Sequence, residues 1–516
     1  MRETKDKRAP FPFYPLIVAA FPVVSFFSAN LAYVPFSQLV RPLLCTVGAT
    51  ALLWALLSLV LRNVVRGAAA ATVGILCCFG YAPLVAKLGV WSLYPLPMWG
   101  IPTAVLMALA AWRLTQTKAL NVLSVAIAAV SAANIAYLLG KESLLMARIS
   151  NEPVAGHRAG VRPDVFYIIL DGHGRSDAIK RAIGYDNSSF IEGLKQRGFY
   201  VADKSHSNYC QTELSLSSSL NMDFIPNLLP KVKPDEADRA PLGHLIDHNE
   251  VGRRFRQEGY GYVSVTTGFP PVRLASADVH LGYEGGQSMI ETALIGMTPL
   301  SLNQAALTSQ VVERRQQLLS AFEDLETLAQ PTTVPRLIVA HILAPHPPFV
   351  FKADGSSTTL HSWSGFVDGS DFMENVGPPS LYREGYSNQA AFIEKKVLGT
   401  IDVLLAAAKP DKPPIIIIQG DHGSKVGLNQ NSLAKTDVHE VFPILNAYYV
   451  PAEIRKDLRP DISPVNSFRL VLSDLFGEKL PPLPDRSWYS TFPRPYNFTE
   501  VTDRIELPSE PSRSAR

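Results

Sequence analysis

Between about residues 12 and 140 this 516-residue chain carries almost no charge, and no other feature limits its possible folds so strongly. Crossing a bilayer as a helix takes about 20 mostly apolar residues. Five windows in the stretch meet that need, at roughly 13–34, 42–61, 68–89, 96–113 and 120–140. The fourth is short and punctuated by Pro95, Pro97 and Pro102, but Trp91, Trp99 and Trp112 suit interfacial positions. One apolar segment follows another without a small-residue cleavage site, which argues against a removable signal peptide. The expectation is a five-helix transmembrane domain over residues 1–140.

Lysine and arginine in the short connections set the orientation. The N-terminus carries Arg2, Lys5, Lys7 and Arg8; the second connection carries Arg62 and Arg66, and the fourth Arg113 and Lys118. The first and third hold only Arg41 and Lys87. That alternation places the N-terminus in the cytoplasm, and an odd number of spans then puts the rest of the chain on the outer face of a bacterial-type cytoplasmic membrane. From about residue 141 the composition becomes that of a soluble protein. Residues 141–162 read as a short helical continuation and a linker, 163–504 as a folded domain, and 505–516 as a disordered Pro/Ser/Arg tail. A net charge of +2 gives no argument for a nucleic-acid partner. The polar half holds a single cysteine, Cys210, so it cannot form an internal disulfide.

Within the polar half, one pattern recurs. Residues 413–423 (PPIIIIQGDHG) are a β-branched apolar run ending at once in Asp421 and His422. Residues 164–170 (DVFYIIL) form a similar run, ended by Asp171 and Gly172. A third run, 336–343 (RLIVAHIL), leads to His346 in the proline-stiffened APHPPFVF. Runs of this kind suit strands buried on both faces of a parallel sheet, and ligands bind just beyond the carboxyl ends of such strands. Helical patterns are expected over 176–198, 246–258, one or two across 285–330, and 385–408, with further strands at 262–266 and 444–450. Residues 354–380 read as a long loop. The fold class is therefore an α/β domain with a mostly parallel central sheet, following the membrane helices.

Thr212 stands where an extended, hydroxyl-rich segment turns helical. There it serves either as a plain N-cap or as a side chain at a helix N-terminus that favours phosphate or sulfate. No capping box supports the first use, because Ser215 rather than Glu or Gln lies three residues on. If the strand ends converge, Asp171, Asp421, His422 and Thr212 can surround one divalent cation: Mn²⁺, Zn²⁺ or Mg²⁺. Metal coordination is one way to activate a hydroxyl that is a poor nucleophile at neutral pH.

DVFYIILDG, NYCQTELSLSSSLN, HILAPHPPF and IIIIQGDHG, in that order, resemble the sulfatase-like branch of the alkaline phosphatase superfamily. With five membrane spans in front, the layout is similar to lipoteichoic acid synthases and lipid A phosphoethanolamine transferases. The resemblance implies Asp171, Asp421 and His422 as metal ligands, Thr212 as nucleophile and ligand, and His346 as a contact to the substrate phosphate or leaving group. Two departures stand out. Cys210 is followed by Gln-Thr-Glu-Leu, not the x-Pro-Ser-Arg that a formylglycine sulfatase requires. Nor is there an Asp-x-x-x-His pair for a second metal, so one ion is expected; His439 and His341 are possible additional ligands, and His173 is expected beside the site or exposed. The expected function is transfer of a phosphoglycerol- or phosphoethanolamine-like group from a lipid to a glycan, lipid or water. Ester hydrolysis without transfer, and a non-catalytic membrane receptor or assembly factor, are the alternatives.

Overall fold

The computed structural model describes residues 10–29, 36–88, 96–114, 116–149, 162–283, 288–302, 304–358 and 367–506. The chain divides into two compact units, Met1–Pro153 with Gly286–Ser309, and Val154–Gly285 with Gln310–Arg516.

The first unit is helical: α1 (Tyr14–Ala29), α2 (Ser37–Val60), α3 (Val64–Phe79), α4 (Tyr81–Leu88), α5 (Leu96–Arg113) and α6 (Thr117–Ile149). Among the described residues two segments, Gln38–Val60 and Thr117–Tyr137, are long and apolar enough to cross a membrane. The expected third span differs from the structure, because the helix breaks at Gly80 into α3 and α4. Residues 30–34 of the first expected span lie outside the described residues. Polar side chains join α1 to α6: Asn121 Oδ1 accepts from the Tyr14 N–H at 3.1 Å, and Asn134 Nδ2 donates to Ser28 Oγ at 2.7 Å. Between apolar helices, such bonds supply specificity that hydrophobicity cannot.

Gly286–Ser309, expected as part of the soluble half, belongs instead to this unit. The reason is apolar burial. Its helix Met289–Gly296 starts with a capping box at Ser288 and Glu291, and buries Ile290 and Leu294 among Val23, Phe27 and Leu39. Glu291 also pairs with Arg41.

The second unit is built on a seven-stranded sheet: β1 (Val165–Leu170), β2 (Tyr200–Val201), β3 (Gly261–Thr266), β4 (Val279–Leu281), β5 (Arg336–Ile342), β6 (Ile415–Gly420) and β7 (Asn446–Tyr449). Its order is β2-β7-β6-β1-β5-β3-β4. The five strands from β6 to β4 run parallel, while β7 and β2 pair antiparallel at one edge. Side chains alternate across the sheet. Phe166, Ile168 and Leu170 join Ile338, Ile342, Ile416 and Ile418 on one face. Val165, Tyr167 and Ile169 join Leu337, Val339, Ile415 and Ile417 on the other. Both faces are dry, which is why the isoleucine run shows no polar alternation. Each such side chain, fully buried, contributes about 1.5–3 kcal/mol.

Several elements differ in extent from the sequence reading. The helix expected over 176–198 is two, α7 (Ser176–Ala182) and α8 (Ser188–Gln196). The one expected over 246–258 is likewise Ala240–Asp247 and Glu250–Gln257, separated where the Asn249 side chain accepts from the Gly252 N–H at 2.7 Å. The segment 354–380 is not all loop, since Gly369–Asn375 is helical and the long helix Pro379–Ala407 begins within it; residues 359–366 lie outside the described residues. The chain stays ordered past 504: Ile505 is buried and Glu506 pairs with Arg175. Residues 507–516 of the expected tail, and residues 150–161 of the expected linker, lie outside the described residues.

Candidate active site and metal centre

Strand register brings the predicted carboxylates together. β1 is central, with β5 on one side and β6 on the other, and Leu170 aligns with both Ile342 and Gly420. Asp171 and Asp421 therefore leave the sheet at the same level on adjacent strands. His341, aligned with Ile169 on β5, completes a buried group whose ligand atoms all lie within 4.8 Å of one another. The turns beyond the strands are tight. Gly172 has φ +76°, and its N–H donates to Asp421 Oδ1 at 2.9 Å. At Gly423 a Cβ would sit 2.0 Å from the Glu440 carbonyl oxygen, so the chain after His422 passes where no larger residue fits.

Thr212 is the first residue of α9 (Thr212–Asn221), after Gln211, which occupies the cap position. Of the two uses open to Thr212, the plain N-cap is thereby excluded. All ten residues of this serine-rich helix are buried. Its hydroxyls are used locally: Ser215 Oγ donates to the Tyr209 carbonyl at 2.9 Å, and Ser217 Oγ to that of Leu242 at 3.1 Å. Thr212 Oγ1 lies 3.0 Å from His422 Nε2 and 3.5 Å from Asp171 Oδ2. His422 Nε2 is also 3.1 Å from Asp421 Oδ2 and 3.4 Å from Asp171 Oδ1. The other ring nitrogen, Nδ1, faces the Gly423 carbonyl at 3.0 Å. Its N–H donates there, which leaves Nε2 as the lone-pair atom aimed into the group.

The donors fit a cation better than they fit one another. Asp171 Oδ1, Asp421 Oδ2 and both ring nitrogens of His341 are buried without a hydrogen-bond partner. His341 Nε2 is 3.2 Å from Asp171 Oδ2, but the alignment makes no hydrogen bond. Native interiors rarely leave so many polar atoms unmatched in one place. Two carboxylates, two imidazoles and a hydroxyl form a donor set suited to a divalent ion such as Zn²⁺ or Mn²⁺. Burial alone would raise the Asp171 carboxyl, yet the ring of histidines His346, His341 and His422 holds it far below the usual range. Burial also lowers His422, keeping the imidazole neutral as a ligand must be.

Beside this group the expected His346 belongs to a second cluster, whose other members the sequence reading missed. His346 Nε2 is 2.9 Å from Asp368 Oδ2, and Lys425 Nζ is 2.7 Å from the same oxygen. Gln430 Nε2 donates to the other oxygen at 2.6 Å. His346 is anchored by its own N–H, which donates to the Asp171 carbonyl at 3.0 Å, and its ring centroid lies 6.4 Å from that of His422. Against the cost of burial, Asp171 and Asp368 raise His346. Burial likewise works against Lys425, but Asp368, Asp171 and Asp421 raise it. Lys425 follows His422 by three residues and was findable as a cation in the same turn. Asp368 sits in irregular chain 22 residues after His346, where no local pattern marks it.

The remaining candidates fall outside. His439 is half-buried with Nδ1 on the Ile505 carbonyl at 2.8 Å, and is not brought into the group. His173 is fully buried, not exposed, and pairs with Glu394 at 3.0 Å. The Cys210 thiol is buried and free, and burial pushes it up, away from a reactive thiolate. Arg314 supports β5 from behind: it donates to the Thr267 carbonyl and, at 2.8 Å, to that of Leu343.

No family model matches the chain, and no curated relative matches it. Solved structures do resemble it, and they are phosphoethanolamine transferases and sulfatase-type hydrolases. The C-terminal periplasmic domain of EcEptC from Escherichia coli is 11% identical over 69% of this chain and 97% of its own, with TM-score 0.43. The integral membrane protein lipooligosaccharide phosphoethanolamine transferase A from Neisseria meningitidis is 12% identical over 89% of this chain and 93% of its own, with TM-score 0.38. Phosphonate monoester hydrolase of Agrobacterium radiobacter is 14% identical over 64% and 80%, with TM-score 0.41. Identity and score are too low in each for the likeness to decide function, so the functional argument rests on this chain's own residues.

Proposed function

We propose that the chain is a membrane-anchored, metal-dependent phosphoester transferase. It would take a phosphoglycerol- or phosphoethanolamine-like group from a lipid through a covalent adduct on Thr212 and pass it to an envelope glycan, a lipid or water. One observation carries the reading: a threonine hydroxyl, at the start of a buried helix, set 3.0 Å from His422 Nε2 and 3.5 Å from Asp171 Oδ2 beside unmatched carboxylate and imidazole atoms. An arrangement built for structure alone would have paired those atoms. The apolar half supports a lipid donor, and five crossings with the second unit on the outer face remain part of the proposal.

Asp171, Asp421, His422, Thr212 and His341 would hold the ion. When bound, it supplies charge for the transferring group and lowers the pKa of the threonine hydroxyl. Thr212 then gives up its proton to solvent on loading, and its Oγ forms a bond to phosphorus while the bond from phosphorus to the lipid alcohol oxygen breaks. His346, whose ring nitrogens face two acceptors, Asp368 Oδ2 at 2.9 Å and the Pro347 carbonyl at 2.5 Å, carries the proton that the leaving alkoxide needs. In the second half an acceptor hydroxyl returns that proton to His346 as its oxygen bonds to phosphorus, and the phosphorus–Thr212 bond breaks to restore the threonine oxygen. Intact-protein mass spectrometry after incubation with phospholipid and Zn²⁺ or Mn²⁺ tests the scheme. A headgroup-sized mass increment that disappears in Thr212→Ala is expected; an increment on another residue, with Thr212→Ala fully active, overturns it.

A further inference from the structure

The first turn of a helix has no intrahelical acceptors for its N–H groups, and an N-cap side chain commonly ties it down. At the start of α9 that tie is missing. Gln211 holds the cap position, but its side chain makes no capping bond. It turns outward instead: Nε2 donates to the Ser490 carbonyl at 2.9 Å, and Oε1 accepts from Arg239 Nη2. Glu213, the residue after Thr212, accepts from Arg239 Nη1 at 2.6 Å. One guanidinium therefore grips the residues on both sides of the proposed nucleophile, one with each terminal nitrogen.

The guanidinium is itself held. Nη2 also donates to the Phe492 carbonyl at 2.9 Å, and the group lies 4.3 Å from the centroid of the Phe492 ring. Phe492 follows β8 (Trp488–Thr491), and its N–H donates to the Gln430 carbonyl at 2.8 Å. The Gln430 amide in turn meets Asp368, the carboxylate beside His346. A continuous run of bonds joins the flanks of Thr212 to the side of the site where His346 sits. Arg239 follows a stretch, 233–238, that is exposed throughout, yet its own side chain is 13% exposed and that of Glu213 10%. Drawing it inward costs desolvation, which bonds directed to both flanks offset. We propose that Arg239 is a positioning residue for Thr212: its fork fixes the start of α9 so that Oγ1 faces His422 Nε2 and Asp171. A point charge cannot span both acceptors as a planar fork does. Misplacing a reacting atom by about 1 Å costs about a hundredfold in rate, so the effect falls on the attack step rather than on affinity for ester or ion. This inference rests on the phosphoester site proposed above.

The test is single-turnover release of 4-nitrophenolate from bis(4-nitrophenyl) phosphate by an excess of the full-length chain in detergent, loaded with Zn²⁺ or Mn²⁺. Thr212 Oγ bonds to phosphorus as the bond from phosphorus to the nitrophenolate oxygen breaks, and the nitrophenolate leaves without a proton. The rate constant at saturating chain reports attack by folded molecules alone. A variant that merely folds poorly raises the half-saturating concentration and leaves that constant unchanged. Arg239→Lys keeps a charge opposite Glu213 but loses the fork, and should lower the constant by at least about fivefold. Arg239→Met should lower it by at least about thirtyfold. Both should stay within about threefold of the wild type in half-saturation and keep the ion-induced rise in melting temperature. If the methionine variant fails to fold, the lysine variant decides alone. A smaller fall in either folded variant, or a change confined to half-saturation, overturns the positioning role. So does loss of the ion-induced rise, which would make Arg239 a support for the whole centre. No release by the wild type with either ion, or undiminished release by Thr212→Ala, overturns the phosphoester site and this inference with it.

Discussion

Two histidine–carboxylate groups lie on the same turn after β1, two residues apart, and they are finished differently. At His173 every polar atom is used. Nε2 meets Glu394 Oε1 at 3.0 Å and Nδ1 meets the Gly174 carbonyl at 3.0 Å. Asn187 Nδ2 shares Glu394 Oε1 at 2.8 Å, while the Tyr185 hydroxyl takes Oε2 at 2.5 Å. At Asp171 the burial is equal, yet oxygens and ring nitrogens are left over. Burying an unmatched polar group costs about 1–3 kcal/mol. A turn that satisfies one network completely and leaves its neighbour open is matched to something that arrives later. Both pair a buried histidine with a buried carboxylate; only the unfilled valences mark the candidate site.

The comparison breaks first, and most visibly, with the ion. Saturating Zn²⁺ or Mn²⁺, at about a hundred times its dissociation constant, should stabilise the chain by about 2.7 kcal/mol, and chelation should reverse this. Asp421→Asn should abolish that increment and lower transfer by at least about a thousandfold, while melting no lower than the wild type when both are metal-free, since one of two crowded carboxylates is gone. His439→Ala serves as the control and should keep the full increment. Melting curves with and without ion settle the matter: an undiminished metal-induced shift in Asp421→Asn would falsify the site.

Glu394→Ala should do the converse. It strips His173, Asn187 and Tyr185 of their common acceptor, and breaking one partner out of a buried pair costs about 3–5 kcal/mol. Denaturant unfolding should show that loss in metal-free protein, where Asp421→Asn shows none. Equal losses in the two variants would erase the distinction drawn between the two networks.

How much of this was legible beforehand follows from what each part depends on. Asp171, Asp421 and His422 were readable because strand and ligand are adjacent in sequence: an apolar run buried on both faces must end, and its first polar residues fall at the sheet's carboxyl edge. Thr212 was readable as a helix start, although Gln211 takes the cap position. His341 was named only as a possible additional ligand because it fits no spacing pattern; it lies inside its strand, and only register shows that it faces the group from the level of Ile169. Asp368 and Glu394 approach from distant segments, and no local periodicity encodes their partners. Gly286–Ser309 was misassigned for the same reason, since what covers Ile290 and Leu294 lies about 250 residues earlier.

Glu440 is a third way of burying a carboxylate, and it sharpens the contrast with the other two. Its oxygens are filled, like those of Glu394, but only by neutral donors: Ser424 Oγ and the N–H groups of Val426 and Gly427. Burial therefore pushes its pKa up from 4.5 to about 7, where Asp171, ringed by histidines, is driven down. The sign follows from which state holds the proton more tightly. With the folded value above the unfolded one, the folded chain binds the extra proton, and the associated stability is complete below about pH 4.5 and lost as pH rises through about 7. A shift of that size corresponds to about 3 kcal/mol. Glu440→Gln cannot ionise, so the difference in unfolding free energy between variant and wild type should grow in the variant's favour between about pH 5 and pH 8. Parallel stability curves across that range would show that cations, not neutral donors, dominate the surroundings of Glu440, and the turn that aims Lys425 would then be held by charge as Asp171 is.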